Sequence, residues 1–346
     1  MPKKQNGYIL ILTLMILSIL VILVTGLFYN STGHQVLSRT LINREKAKML
    51  ALSGIQLARS KLSASPKKED SKVAKDDQKK REDIFFLTKI LPSLNRWETL
   101  NLKEEVDGVD GQIKLSISCE NGKININKIY DFSKHKFIME GVMNVQKIFE
   151  DLNKRIRPLI DGKDFLKGLL DFLQKRKFPL NDVTELLLIP EFSYFQSHVF
   201  YEPPSKKEDV EKWPIFLTDI FTTWTDKLQM QPWLFSDSVI AILGLRRADV
   251  NIGQREKSFE QLFKAFKTNA QWAVDWNKIL KPLFERDFTS LPKGIELMLD
   301  SGFDPNVFSV LSYGTVGEIT ERIFAILQKQ IVDNQATYEV KKLYWI

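Results

Sequence analysis

The side chains that most often perform chemistry are sparse in this sequence. There is one cysteine, Cys119, and the three histidines, His34, His135 and His198, lie far apart along the chain. A single cysteine excludes both an intramolecular disulfide and a cysteine-based zinc cluster. None of the histidines belongs to a metal-ligand pattern. The sequence therefore predicts no metal site and no cofactor.

Motifs that mark common catalytic sites are missing as well. The chain has no G-x-S-x-G, no H-E-x-x-H and no phosphate-binding loop. The adjacent carboxylates Glu104 and Glu105 fit a solvated surface better than an acid–base pair. We expect no enzymatic activity, and the alternative from the enzyme class is a membrane-anchored hydrolase.

The charge of the chain gives little support to nucleic-acid binding. Fifty basic and 43 acidic residues leave a net charge of +7, which a lysine-rich surface explains. Two stretches, ELLLIPEF from Glu185 and SVIAILGL from Ser238, faintly resemble helix-hairpin-helix elements. Such elements place backbone N–H groups of a glycine-rich turn against phosphate. Pro190 and Glu191 put a carboxylate there instead, so we expect no nucleic-acid partner.

The position with a specific chemical meaning is Gly7, which directly precedes a long apolar segment. From Tyr8 to Tyr29 no residue is charged, and the segment exceeds the ~20 residues that a membrane-spanning helix needs. Lys3 and Lys4 precede it, and the first charge after it is Arg39. Since flanking positive charge stays on the cytoplasmic side, the N-terminus is expected in the cytoplasm and the bulk of the chain outside.

Two simpler interpretations of this segment compete. A cleaved secretory signal peptide has a shorter apolar region followed by a small-residue A-x-A site. Here the run is longer, and the small residue stands before it. A plain signal anchor, carrying a periplasmic hydrolase or binding module, remains the alternative.

The helical pattern continues beyond the apolar run. No proline occurs between Tyr8 and Leu62, so one helix on the order of 80 Å long is expected at ~1.5 Å per residue. Apolar residues recur along one face at spacings of three and four: Ala47, Leu50, Ala51, Gly54, Ile55, Ala58 and Leu62. The small residues Ala51, Gly54 and Ala58 should allow close approach of a globular domain or of neighbouring helices.

Strand patterns occur on both sides of a helical block. Residues 111–129 alternate apolar and polar around Asn121-Gly122, which predicts a hairpin with a type I′ turn in which Cys119 faces Ile124 and is buried. From Asn144 to Leu299 the pattern is mainly helical, and strands are predicted after Phe303, although the stretch from Glu318 could also be helical. Ser63 to Asp83 is almost wholly polar and is expected to be an exposed loop. The chain is thus predicted to be α+β with an inserted all-α domain.

The basic leader, Gly7 and the apolar helix together resemble the type IV prepilin pattern. In that family a prepilin peptidase cuts after the glycine and methylates the new N-terminus. The resemblance implies cleavage between Gly7 and Tyr8 and N-methylation of Tyr8. It also implies a pilin-like fold, in which a long N-terminal helix packs on an antiparallel sheet.

Further motifs resemble the minor pseudopilin K family of type II secretion. The fifth residue after the cleavage point is Leu12, where most pilins have a glutamate, and absence of that glutamate is characteristic of K. The stretch ENGKININ from Glu120 resembles the family's "D/E-x-G-K-I-N-L-N". Residues 178–190 resemble its "P-F-x-x-V-x-E-L-x-x-V-P-G", with Glu191 in place of the final glycine. Residues 44–58 resemble "R-x-x-A-x-x-x-A-x-x-G-x-x-x-A". The family's aspartate-rich "W-x-D-x-D" stretch has no clear counterpart.

The resemblance implies a division of the chain and a role. The expected parts are a leader at 1–7, a transmembrane helix at 8–29, the periplasmic part of the same helix at 30–62, a pilin-like domain at 63–143 and 303–346, and an inserted helical domain at 144–302. The implied role is a subunit at the pseudopilus tip that helps initiate assembly. Implied partners are minor pseudopilins I and J, prepilin peptidase and inner-membrane lipid. A priming subunit of a type IV pilus is the alternative.

Overall fold

A single long helix opens the structure and leads into a sheet and a block of short helices. The computed structural model describes residues 6–64, 82–140, 143–204, 214–247, 271–332 and 335–346, together with residues 257, 261 and 264. Helix α1 is continuous over Asn6–Ser63, as the absence of proline predicts. Most of the loop predicted from Ser63, and the helix predicted around Phe259, lie outside the described residues.

Five antiparallel strands form the main sheet. They are β1 (Glu98–Leu102), β2 (Gly111–Cys119), β9 (Val307–Val316), β10 (Ile319–Val332) and β11 (Gln335–Trp345). Their spatial order is β1-β2-β9-β10-β11. The strands predicted late in the chain are confirmed, and the stretch from Glu318 lies mostly in a strand rather than a helix. The sheet therefore joins two distant parts of the sequence, because β2 pairs with β9 from Cys119 opposite Phe308 to Gln112 opposite Thr315.

Both faces of the sheet are covered. Side chains of β9 alternate in direction, so that Phe308 and Val310 lie in the core cluster that includes the docked part of α1. Val307 and Leu311 belong to a second cluster on the opposite face. Aromatic residues from other segments pack against that second cluster: Trp97, Phe200, Trp224 and Tyr344.

Short elements follow β1 and β2. The helices here are α2 (Glu104–Asp107) and α3 (Ile126–Ile129). The strands are β3 (Ile124–Asn125), β4 (Tyr130–Asp131), β5 (Lys136–Phe137), β6 (Met139–Glu140) and β7 (Met143–Asn144).

The prediction of a hairpin at Asn121-Gly122 is wrong. A type I′ turn needs positive φ at both central residues, and neither residue has it. Instead, Glu120–Gly122 forms one 3-10 turn, and the Asn121 side chain accepts hydrogen bonds from the backbone N–H groups of Asn306 and Val307, both at 3.1 Å. These bonds hold the end of β2 beside the start of β9, so β9 takes the place of the expected hairpin partner.

The region between β7 and β9 consists mainly of short helices. Among the described residues, the α-helices with defined bounds are α4 (Val145–Ile156), α5 (Phe165–Lys175), α6 (Leu217–Ile220), α7 (Asp237–Ile242), α8 (Trp272–Asp275) and α9 (Lys281–Phe284). The 3-10 helices include Val183–Leu188 and Pro190–Gln196, and one π-helix spans Trp276–Leu280. Among the described residues of this region, the one named strand is β8 (Phe221–Thr222), which pairs in parallel with β3. An isolated parallel bridge also joins Met230 to Leu299. We refer to residues 145–302 as the helical block, and the α+β class with a helical insertion is as predicted.

Candidate membrane anchor and its docking surface

Within the described residues, no other part of the protein covers the apolar side chains of the first half of α1. Every described side chain from Leu10 to Tyr29 is exposed, including Leu12 at 46%. Among the described residues, α1 is the one helix long and apolar enough to cross a membrane, and its most apolar stretch has a mean hydropathy of 2.9 with none of it buried. Burial of each large apolar side chain is worth ~1.5–3 kcal/mol, so this segment fits a transmembrane anchor.

The few polar groups of this segment are satisfied within the helix. Thr13, Ser18 and Thr25 donate their hydroxyl protons to backbone carbonyls three or four residues earlier, at 2.9, 2.8 and 2.7 Å. No water is present in a bilayer core to replace these bonds. The segment can therefore enter lipid without leaving these hydroxyl groups unpaired.

The second half of α1 docks on the sheet through small residues. Ala47, Ala51 and Ala58 are completely buried, and Ile55 is 1% exposed. A Cβ atom built on Gly54 would collide with the Ser312 hydroxyl and lie 3.0 Å from the Ile113 Cγ2 atom. The structure thus places Ala51, Gly54 and Ala58, the small residues singled out in the sequence, on the face of the helix that meets the sheet.

A glycine on the sheet side also makes a close approach to the helix. A Cβ atom on Gly314 of β9 would collide with the Ala47 carbonyl oxygen, lie 2.5 Å from the Ala51 amide nitrogen and lie 2.8 Å from the Leu50 Cβ atom. Two of these three neighbours are helix backbone, which cannot rotate away. Gly314 is therefore the position that lets the helix backbone pack directly on the strand backbone.

Polar contacts fix the edges of the docked half. The Arg44 guanidinium lies 2.6 Å from a carboxylate oxygen of Glu321, and the Arg59 Nε atom donates to the Tyr338 carbonyl oxygen at 2.7 Å. These contacts join α1 to β10 and β11. Because the Arg44 side chain is more than half exposed, its ion pair contributes little to stability and mainly orients the helix.

The side of α1 turned away from the sheet carries a second set of apolar residues. Leu41, Ile42, Met49 and Leu52 are all exposed, with Met49 at 68%. Their spacing places them on one helix face, opposite the docked residues. We call this set the outer face of α1.

A buried ion pair lies where the helical block meets the sheet. Lys123 and Glu120 have side chains only 1% and 3% exposed, and they form a salt bridge. The Lys123 ammonium also donates to the Thr218 carbonyl oxygen at 2.8 Å and to the Ser309 hydroxyl at 3.0 Å. All three ammonium protons therefore have acceptors, which offsets much of the cost of burying the charge. We call the residues Glu120, Lys123, Thr218, Asp219 and Ser309 the seam.

Cys119, at the end of β2, lies in the core of the protein. It is buried, as predicted, and its thiol lies 3.5 Å from the Val307 carbonyl oxygen. Burial raises the pKa of the Cys119 thiol well above its usual range. A buried thiol with a raised pKa behaves as a small core side chain.

Gly7 and Tyr8 lie in the first turn of α1. Cleavage between them and methylation of Tyr8 stay predictions, as does the role of Leu12 in assembly. Among the described residues, no group of three or more histidine, cysteine, aspartate or glutamate side chains is placed to hold a metal ion.

Two features of this region were not predicted from the sequence. Gly314 interrupts a strand of otherwise larger residues, and a glycine inside a strand often marks a close backbone approach, so a signal was present. Lys123 and Asp219 gave no signal of burial, because charged residues are seldom fully buried.

Comparison with known proteins yields a structural likeness. No protein-family model matches the chain, and no curated protein matches it in sequence. Among solved structures, the chain is similar to one chain of the crystal structure of the GspK-GspI-GspJ complex from the type 2 secretion system of enterotoxigenic Escherichia coli. The sequence identity is 16%, the TM-score is 0.46, and the match covers 89% of this chain and 99% of that chain.

Proposed function

We propose that this protein is a membrane-anchored minor pseudopilin of the K type, which lies at the tip of a type II secretion pseudopilus and helps to initiate its assembly. The observation that carries the proposal is the division of α1: its first half is exposed and apolar, and its second half is docked on an antiparallel sheet through alanine and glycine. A helix with two such halves can reside in a bilayer before assembly and pack into a filament later without refolding.

Processing by prepilin peptidase is the first step of the proposed role. The basic leader with Lys3 and Lys4 stays in the cytoplasm, which puts Gly7 at the cytoplasmic membrane surface. Cleavage after Gly7 frees the amino group of Tyr8, and methylation follows. The body of the protein then lies in the periplasm, anchored in the inner membrane.

The proposed place at the tip follows from Leu12 and from the helical block. A carboxylate at this position would be costly in lipid unless it were paired, and pilins pair it with the amino group of the subunit above. A tip subunit has no subunit above it, and Leu12 needs no partner. The helical block, inserted between β2 and β9, adds bulk that would block a subunit from docking above.

The outer face of α1 is the proposed contact for minor pseudopilins I and J. Its four apolar side chains are uncovered in the single chain. The other side of the helix is already occupied by the sheet, so a neighbouring helix can reach only this face. Association would remove the exposed apolar surface from water.

Processing can be tested with substitutions in the leader. Gly7→Ala should leave the leader attached in cells that contain prepilin peptidase, and Asn6→Ala is the matched control that should be processed normally. Immunoblots and intact masses of the membrane-bound protein report the result. Normal processing of Gly7→Ala would contradict the proposal and favour a plain signal anchor.

The system can be tested by deleting the gene. The proposal predicts that type II exoproteins accumulate in the periplasm while type IV pilus functions continue. Loss of pili with normal exoprotein release would instead support the type IV priming subunit. The wild-type gene, supplied in trans, should restore export, and the Gly7→Ala gene should not.

A further inference from the structure

Asp219 is a completely buried carboxylate whose two oxygens have unequal surroundings. One oxygen, Oδ2, accepts a hydrogen bond from the Ser238 backbone N–H at 2.8 Å. The other, Oδ1, has no hydrogen-bond partner in the described structure. A buried carboxylate with one unpaired oxygen is destabilised in its charged form. A proton on Oδ1 would neutralise the charge and lower that penalty.

Asp219 and its neighbour Thr218 also connect α7 to the central part of the sheet. Its backbone carbonyl accepts a hydrogen bond from the Ser236 hydroxyl, and Ser236 is the residue that caps α7. The preceding carbonyl, that of Thr218, accepts from Lys123, which also binds Ser309 of β9. Opening of the helical block at this point would break the contacts of α7 and those of β9, the central strand of the sheet, at the same time.

The charged groups around Asp219 come from each neighbouring segment. Lys123 of the turn after β2 favours the charged carboxylate, although it is already paired with Glu120. The negative charge of Asp237 in α7 disfavours the charged form of Asp219. Asp237 in turn accepts a hydrogen bond from the Tyr201 hydroxyl and lies 3.2 Å from the Arg247 guanidinium.

We propose that protonation of Asp219 controls the stability of the contact between the helical block and the sheet at the seam. The contact is more stable while Asp219 is neutral, and it opens more often when Asp219 loses its proton. The proposal concerns the fold of this chain and is independent of the proposed function. It rests on the unpaired buried oxygen, on the neighbouring like charge of Asp237 and on the position of Asp219 between α7 and the Lys123 contacts.

The direction of the effect follows from proton linkage. Burial, the largest cause, raises the pKa of Asp219 to about 6 from a usual value of 3.8. The closed seam therefore binds the proton more tightly than an opened seam with a solvated carboxyl group. Stability from this group is fully present below pH ~4 and is lost as the pH rises through ~6. Between pH 5 and pH 7, the opening equilibrium should increase roughly tenfold.

Hydrogen–deuterium exchange on the full chain in detergent micelles measures this opening. Protection of backbone amides in residues 217–222 and 237–242, corrected for the intrinsic pH dependence of exchange, should fall about tenfold from pH 5 to pH 7. Amides of β9 and β10 far from the seam should change much less. Wild-type protection in the seam that is constant over this range would overturn the proposal without any variant.

Two asparagine variants separate Asp219 from other carboxylates. Asp219→Asn keeps an oxygen for the Ser238 N–H but cannot titrate, so its seam protection should not vary with pH. Asp226→Asn, an exposed residue of the same block, is the matched control and should retain the wild-type pH dependence. If Asp219→Asn retained that dependence too, another group would be responsible and the proposal would be wrong. If Asp219→Asn failed to fold, a wild-type transition centred near pH 6 would support the proposal, and a constant profile would overturn it.

Discussion

Gly314→Ala is the substitution that should most directly disturb the contact between α1 and the sheet. The added Cβ atom would collide with the Ala47 carbonyl oxygen and lie 2.5 Å from the Ala51 amide nitrogen. Both atoms belong to a helix that is continuous from Asn6 to Ser63, so neither can move alone. The whole docked segment must shift outward by about 1 Å to restore ordinary van der Waals contact.

The cost of that shift can be estimated from packing. A gap of 0.5–1 Å forfeits about a quarter to a half of the dispersion attraction between the separated atoms, and overpacking of a close contact costs ~1–3 kcal/mol or more. Since the colliding neighbours are backbone, we expect a loss of ~3 kcal/mol in the free energy of unfolding. At ~2 °C per kcal/mol for a large domain, Tm should fall by about 6 °C.

Thermal unfolding of the full chain in detergent micelles, followed by near-ultraviolet circular dichroism, measures this change. Gly302→Ala is the matched control. Its Cβ atom would lie 3.1 Å from the end of the Asp300 carboxylate, and its φ is not positive. The control should lower Tm by less than about 2 °C. If Gly314→Ala unfolded within 2 °C of the wild-type protein, the close helix–strand contact inferred from Gly314 would be refuted.

Three further changes test the helix contact, the seam and the outer face. Gly54→Ala should lower the free energy of unfolding by ~1–2 kcal/mol. Adding Ser312→Ala removes the colliding hydroxyl and should restore most of that loss in a double-mutant cycle. Purely additive effects of the two substitutions would contradict the contact. Lys123→Met leaves the Glu120 carboxylate buried without its cation and should lower the free energy of unfolding, measured in urea, by ~3–5 kcal/mol. The double variant Glu120→Gln, Lys123→Met removes the unpaired charge and should be more stable than Lys123→Met. A double variant that is no more stable would argue against a buried ion pair. Met49→Asp should weaken co-purification with minor pseudopilins I and J by at least tenfold while Tm changes little, and unchanged co-purification would remove the outer face as the proposed contact.

Much of the architecture could be predicted because its signals are local. The apolar run and the absence of proline predict α1, and the β-branched and aromatic residues after Phe303 predict the late strands. The prediction of a hairpin at Asn121-Gly122 was wrong because the apolar–polar alternation of β2 fits pairing with the residues that follow it as well as pairing with a distant strand. Contacts from Asn306 and Val307, distant in sequence, decide that β9 lies beside β2.

The seam could not be predicted for a different reason. Lys123 and Asp219 have the composition of surface residues, and their burial depends on Ser309 and Ser238, which lie 186 and 19 residues away. No periodic pattern links such positions. Long-range polar contacts of this kind are visible only once the fold has brought the segments together.

The intact mass of the wild-type protein tests the central claim most directly. The protein should be purified from the membranes of a cell that contains prepilin peptidase. We predict a polypeptide that begins at Tyr8 and carries one methyl group on its new amino terminus. A membrane-bound polypeptide that still begins at Met1 would contradict the account, because α1 would then be a permanent anchor rather than a processed pseudopilin helix.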